Sequence, residues 1–133
     1  MIGQNDELAK IAIENALNIS IAHPFVGLVV TRGEDFSGAL ILNNFDRHNI
    51  DMTVLATGNW SMSDVRNIAR YIFDQLDCKR ITSVTLANNK KAIHRLQILG
   101  FKREGCLRER FPQGDAIAFG LLRSEQKLTR LSK

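Results

Sequence analysis

Apolar residues recur along this chain with two different periods, and the switches between them mark its elements. Near the start, Leu8, Ile11, Ala12, Ala16 and Ile19 fall at helical spacing. That stripe predicts a helix capped by Asn5 or Asp6 and running to about Asn18. His23-Pro24 breaks it, because a proline pushes the residue before it out of the helical region. Phe25–Thr31 is a continuous apolar run of strand length, the pattern of a central strand covered on both faces. Arg32-Gly33-Glu34-Asp35 is a turn. Phe36–Phe45 and Ile50–Ala56 read as strands joined by the hairpin-length turn Asp46-Arg47-His48-Asn49. Helical periodicity returns over Ser63–Leu76, with Val65, Ile68, Ala69, Ile72, Phe73 and Leu76 on the inner face.

Lys79–Ala87 alternates and is rich in β-branched residues, hence a strand. Asn89 then caps a helix whose apolar stripe is Ala92, Ile93, Leu96 and Leu99. Gly100 ends it, since the left-handed position after a helix costs glycine nothing. A strand at about Phe101–Glu109, a turn at Pro112-Gln113-Gly114-Asp115 and a strand at Ala116–Arg123 close the pattern. The tail Ser124–Lys133 is polar with a few leucines, a short helix or a frayed end. The order predicts an α/β (α+β) fold in which an antiparallel meander feeds a parallel crossover.

Length makes the chain one domain spanning residues 1–133, with 1–5 and 124–133 loose. An apolar share of 44% argues against disorder. The longest apolar stretch, around Val26–Val30, is far too short to span a bilayer, so no membrane partner is expected. Cys78 and Cys106 have neither a CxxC nor a metal-ligand spacing, which predicts reduced thiols, a cytoplasmic location and no metal. Charge is divided unevenly: residues 1–66 carry net −4 and residues 67–133 net +8. The basic half suits a phosphate-bearing cofactor or a solvated surface. Nucleic acid is disfavoured, because no aromatics interleave the basic residues.

Asn89–Gly105 follows N-x-x-[S/A]-x-x-x-x-x-x-L-G-F-x-x-E-G, and the chain then continues E-G-x-L-R, G-D and F-G-L-L-R-x-E. These motifs resemble the GNAT superfamily of N-acetyltransferases, in particular the branch that acetylates ribosomal-protein N-termini and its short phage and bacterial relatives. The resemblance covers roughly Phe36–Glu125 and is most specific in the C-terminal half. It implies a mixed, mainly antiparallel GNAT-like sheet flanked by helices, with the usual first strand missing. It implies acetyl-CoA as co-substrate, an amine on a small molecule, peptide or protein as acceptor, and a homodimer. Asn89 stands where the family binds the pantetheine arm, with Lys91, Ala92 and Arg95 on the same helix start. Trp60 stands where the branch has a tryptophan before its glycine-rich pyrophosphate loop. Ser61, Met62 and Ser63 replace the glycines; serines still cap a helix and offer hydroxyls to phosphate.

The implied chemistry is direct attack of a neutral amine on the thioester in a ternary complex, with backbone N–H groups near Val54, Leu55 and Ala56 holding the oxyanion. The family's thiol-protonating tyrosine is matched by Leu96 and the branch's serine by Ala92, and neither donates a proton. Asp51 and His48 are the candidate bases, with His94 behind them. Asp51 shares a strand face with Thr53 and Leu55, opposite Ile50, Met52 and Val54. The alternative reading is a GNAT-fold binding or structural module without catalysis, of phage or mobile-element origin.

Overall fold

The computed structural model describes residues 1–129. Its elements are β1 (Ile2–Gln4), α1 (Asp6–Leu17), β2 (Phe25–Arg32), β3 (Asp35–Asn43), β4 (Asn49–Ala56), α2 (Met62–Arg70), β5 (Arg80–Leu86), α3 (Lys90–Ile98), β6 (Lys102–Phe111) and β7 (Gly114–Leu122). A π-helical turn, Tyr71–Gln75, extends α2. The seven strands form one sheet in the order β1-β2-β3-β4-β5-β7-β6. Every neighbouring pair is antiparallel except β4 and β5.

The sheet separates two apolar layers. Alternation in β4 turns Ile50, Met52, Val54 and Ala56 toward α2 and α3, where Val65, Ile68, Ile72, Ala92 and Leu96 meet them. The opposite face packs Val29, Ala39 and Ile41 against Ala9, Ile13 and Leu17 of α1. No helix among the described residues is long and apolar enough to cross a membrane.

Three expectations are corrected here. The opening residues are not loose, and a first strand exists: Ile2, Gly3 and Gln4 pair with Val30, Val29 and Leu28. Three residues carry too little periodicity to announce a strand. Phe25–Thr31 is not central; β2 lies second from the sheet edge. It is apolar on both faces because α1 covers one and the main core borders the other. The stripe of α1 is out of phase with the expectation. The helix buries Ala9, Ile13 and Leu17, while Leu8 and Ile11 remain 43% and 46% exposed. Gly27 explains the phase: a Cβ there would lie 2.7 Å from Ala9 Cβ and 2.9 Å from Asp6 Cα. Close approach at Ala9 sets the rotation of the helix on the sheet, so Ile13 and Leu17 face inward with it while Leu8 and Ile11 do not.

The tail is ordered in turns as far as Thr129, with Gln126 and Leu128 buried. Leu128 joins the main core. The rest of the predicted tail lies outside the described residues.

Gly38 on β3 has φ +149°, and a Cβ there would sit 2.4 Å from Leu55 O and 2.8 Å from Trp60 Cζ2. Gly38→Ala is therefore expected to lower unfolding free energy by about 2–4 kcal/mol, read from urea denaturation midpoints. A change below about 0.5 kcal/mol would show that the contact relaxes freely.

Candidate active site

β4 and β5 pair from Asn49 and Arg80 as far as Thr53 and Val84, and then part. Each strand continues on its other neighbour: β4 on β3 to Ala56, β5 on β7 to Leu86. Their ends are drawn outward. Ser37 O accepts from Thr57 N at 3.2 Å and Gly58 N at 3.0 Å, and Asp115 O accepts from Ala87 N at 2.9 Å. Val54–Ala56 thus border a gap with no strand opposite, leaving backbone groups there free for a ligand.

Two helices begin at the mouth of this gap. Ser61 Oγ caps α2 by accepting from Asp64 N at 3.1 Å, and Asn89 Oδ1 caps α3 by accepting from Ala92 N at 3.1 Å. Helix starts beyond the carboxyl ends of parallel strands favour phosphate, since their first N–H groups are unpaired and the dipole is positive there. Trp60 locks the loop before α2: its Nε1 donates to Ser37 O at 2.8 Å. Arg95 of α3 lies over that indole, its Cζ 5.7 Å from the ring centre. Lys91, one turn earlier, reaches Thr57 O at 3.5 Å. Arg95 Nη1 is buried and has no hydrogen-bond partner among the described residues. Burial pulls the Arg95 pKa below its ordinary value, a desolvation cost that an anion beside it would offset.

Asp64 sits in the first turn of α2, where a free carboxylate would repel phosphate. It is turned into the protein, 4% exposed, with Oδ2 3.0 Å from the Met1 amino group. Burial raises its pKa. The hydrogen bonds from the amino group and from Ser61, with the amine's charge, outweigh that and hold it below the ordinary value.

The structure gathers many of the residues expected to hold the cofactor. Val54, Trp60, Ala92 and Arg95 line one cleft between the sheet, α2 and α3. Ser61, Met62 and Ser63 form the start of α2, Asn89 and Lys91 that of α3, and Ala56 the end of β4. Leu55 faces the α1 side instead. Asp51 and His48 lie away from the gap. Asp51 is level with Thr82 in the paired part of β4, three residues before Val54, or about 10 Å along the strand. Its oxygens accept from Asn44 Nδ2 and Asn49 Nδ2, both at 2.9 Å. His48 is exposed in the turn before β4, and His94 is exposed on α3. Alternation gave the face of Asp51 correctly but carried no information on its depth along the strand.

Sequence reasoning passed over two hydroxyls. Ser83 and Thr85, 0% and 1% exposed, lie on the α3 side of β5, and neither side-chain oxygen has a partner among the described residues. Hydroxyl residues at the inward positions of an alternating strand were the available signal. On the α1 side of the gap the floor is apolar: Leu55, Val84 and Leu86 pack with Phe111. The turn after β6 closes on α1 there, Gln113 Nε2 donating to Ala16 O at 2.8 Å.

No family model matches the sequence, and no curated protein resembles it. Solved structures do match. A mutant form of spermidine N-acetyltransferase SpeG from Vibrio cholerae superposes with a TM-score of 0.71 at 18% identity, covering 100% of this chain and 98% of that one. The spermidine/spermine N-acetyltransferase SpeG from the same organism, in complex with manganese ions, gives 0.69 at 19%, covering 100% and 96%. A T. thermophilus protein described as an acetyltransferase gives 0.69 at 19%, covering 90% and 69%. The chain therefore has the fold of the GNAT acetyltransferases.

Asp64 yields a pH-dependent expectation. Its pKa is depressed in the folded protein, so its contribution is complete above the unfolded value of 3.8 and fades as pH falls through the folded one. Asp64→Asn should cost about 1–3 kcal/mol at neutral pH. The deficit should shrink below about pH 4, where the carboxylate of the unfolded chain protonates, and fade further as pH falls through the lower folded value. Equal destabilisation at pH 7 and pH 2.5 would contradict the assignment.

Proposed function

We propose that this protein is an acetyl-CoA-dependent N-acetyltransferase that moves an acetyl group to a primary amine by direct attack in a ternary complex. The observation that carries the reading is the parting of β4 and β5 beyond Thr53 and Val84, with α2 and α3 both starting at its mouth. That arrangement fits a long ligand with phosphates at one end and a reactive group at the other. Acetyl-CoA supplies an activated thioester. Arg95, with its unpaired Nη1, and Lys91 take the place of the glycine-rich loop in meeting phosphate. Asn89 holds the pantetheine arm beside the start of α3, and the free edge of Val54–Ala56 offers backbone N–H groups to the thioester oxygen.

The acceptor enters from the α1 side. Glu14 of α1 and Asp115 of β7 are engaged by Ile21 N at 2.7 Å and Glu109 N at 2.8 Å. With Leu55, Val84 and Leu86 as floor, the site suits an amine on an apolar carrier, such as a peptide N-terminus, better than a polycation. This agrees with the resemblance of Asn89–Gly105 to the ribosomal-protein branch. A second reading, a GNAT-fold binding module without catalysis, is favoured by one observation. Ala92 and Leu96, the α3 side chains buried over β4 and β5, carry no proton to give.

Calorimetry and thermal unfolding with acetyl-CoA test the reading. Ligand at about 100 times its Kd should stabilise the protein by about 2.7 kcal/mol. Lys91→Ala and Arg95→Ala should each weaken binding about tenfold or more, the size of a lost charge-assisted hydrogen bond. No binding at millimolar acetyl-CoA would sink the proposal. Binding without transfer to any amine in a panel of peptides and polyamines would favour the second reading.

A further inference from the structure

Thr85 and Ser83 are an unusual pair of core residues. Leaving a buried hydroxyl without a partner is destabilising, and valine or alanine would fill the same positions without that penalty. The two differ in one respect, their register against β4. Ser83 stands level with Met52, inside the paired stretch. Thr85 is the first α3-side residue of β5 beyond the last pair, Thr53 and Val84. It therefore borders the gap from the β5 side, as Val54 does from the β4 side. On the same side of the sheet, the buried α3 side chains Ala92 and Leu96 offer no hydrogen-bond donor. Its β-branched side chain has few rotamers in a strand, so the hydroxyl is held rather than free to swing.

We infer that Thr85 is the group that receives the leaving sulfur: its hydroxyl donates a hydrogen bond to the coenzyme thiolate at the parting of the strands. The inference rests on the acetyltransferase reading above. In the step, the amine nitrogen bonds to the acetyl carbon and the carbon–sulfur bond breaks, its electron pair staying on sulfur. The proton shed by nitrogen passes through water to that sulfur. Thr85 keeps its own proton and lowers the energy of the anion while it exists. The missing donors on α3 are thus replaced from β5, one strand below.

The test uses coenzyme A itself and needs no acceptor. The thiol of protein-bound coenzyme A is titrated by its ultraviolet thiolate absorbance, with desulfo-coenzyme A as blank and calorimetry to confirm saturation. A hydrogen bond to the thiolate should make the bound thiol of wild type titrate about one pH unit below that of Thr85→Val. Thr85→Ser should restore the wild-type value, and Ser83→Ala, inside the paired stretch, should leave it in place. Thr85→Val should be at least as stable as wild type, because it removes an unpaired buried hydroxyl. Identical titrations for wild type and Thr85→Val, with coenzyme A bound to both, would overturn the role of Thr85 and leave the acetyltransferase reading standing. Failure of wild type to bind coenzyme A would overturn both.

Discussion

The parting of β4 and β5 depends on the carbonyl of Ser37. It accepts three donors, from Thr57 N, Gly58 N and the Trp60 indole. Together they fold the chain leaving β4 back over β3 instead of letting it run on beside β5. A backbone acceptor so used fixes three residues for one group, and the start of α2 inherits that position. On the other side Asp115 O draws Ala87 toward β7. Without these two pulls, parallel pairing would continue past Thr53 and Val84, because each added rung satisfies backbone groups. The gap is therefore a built feature. Gly38 belongs to the same device, since its missing Cβ is what lets Trp60 come down onto β3.

With the loop pinned, the charge at the mouth must come from elsewhere. A glycine-rich loop meets phosphate with successive backbone N–H groups, which need close approach and no side chains. Here Ser61 occupies one such N–H by capping, and Asp64 brings a carboxylate into the first turn. The carboxylate is neutralised inward, and two cations of α3 lean across from the opposite helix. Stacking on Trp60 makes this arrangement rigid before any ligand arrives. Arg95 surrenders water for an aromatic face and keeps one N–H unpaired among the described residues, so much of its desolvation cost is incurred before an anion binds. That is preorganisation, and it favours an anion arriving later.

The legibility of the chain follows from the same physics. Alternation and helical spacing placed β3 to β7, α2 and α3, because those elements bury large side chains in ordinary phase. The caps at Asn89 and Ser61, and the tryptophan before the second cap, could be read directly, since capping is a local rule. What was not legible depended on contacts distant in sequence. The phase of α1 is set by Gly27 on β2, which seats Ala9 and brings Ile13 and Leu17 inward with it, so a stripe built on Leu8 and Ile11 points the wrong way. β1 exists because β2 offers it an edge. Asp51 could be given a face but not a depth, and depth decides whether a carboxylate meets a thioester.

Thr85 is the sharpest case of this limit. In sequence it is one more β-branched residue in Lys79–Ala87, indistinguishable from a valine that fills a core. Its environment differs only because pairing stops one residue before it, and pairing stops because of Ser37 and Asp115, neither near it in sequence. The absent donors at Ala92 and Leu96 argue against catalysis when α3 is considered alone. They lose that force once the floor beneath α3 is included, because a sulfur between β4 and β5 is bordered by β5 as much as by the helix. Whether this fold is a catalyst or a scaffold thus turns on which wall of the gap meets the leaving group.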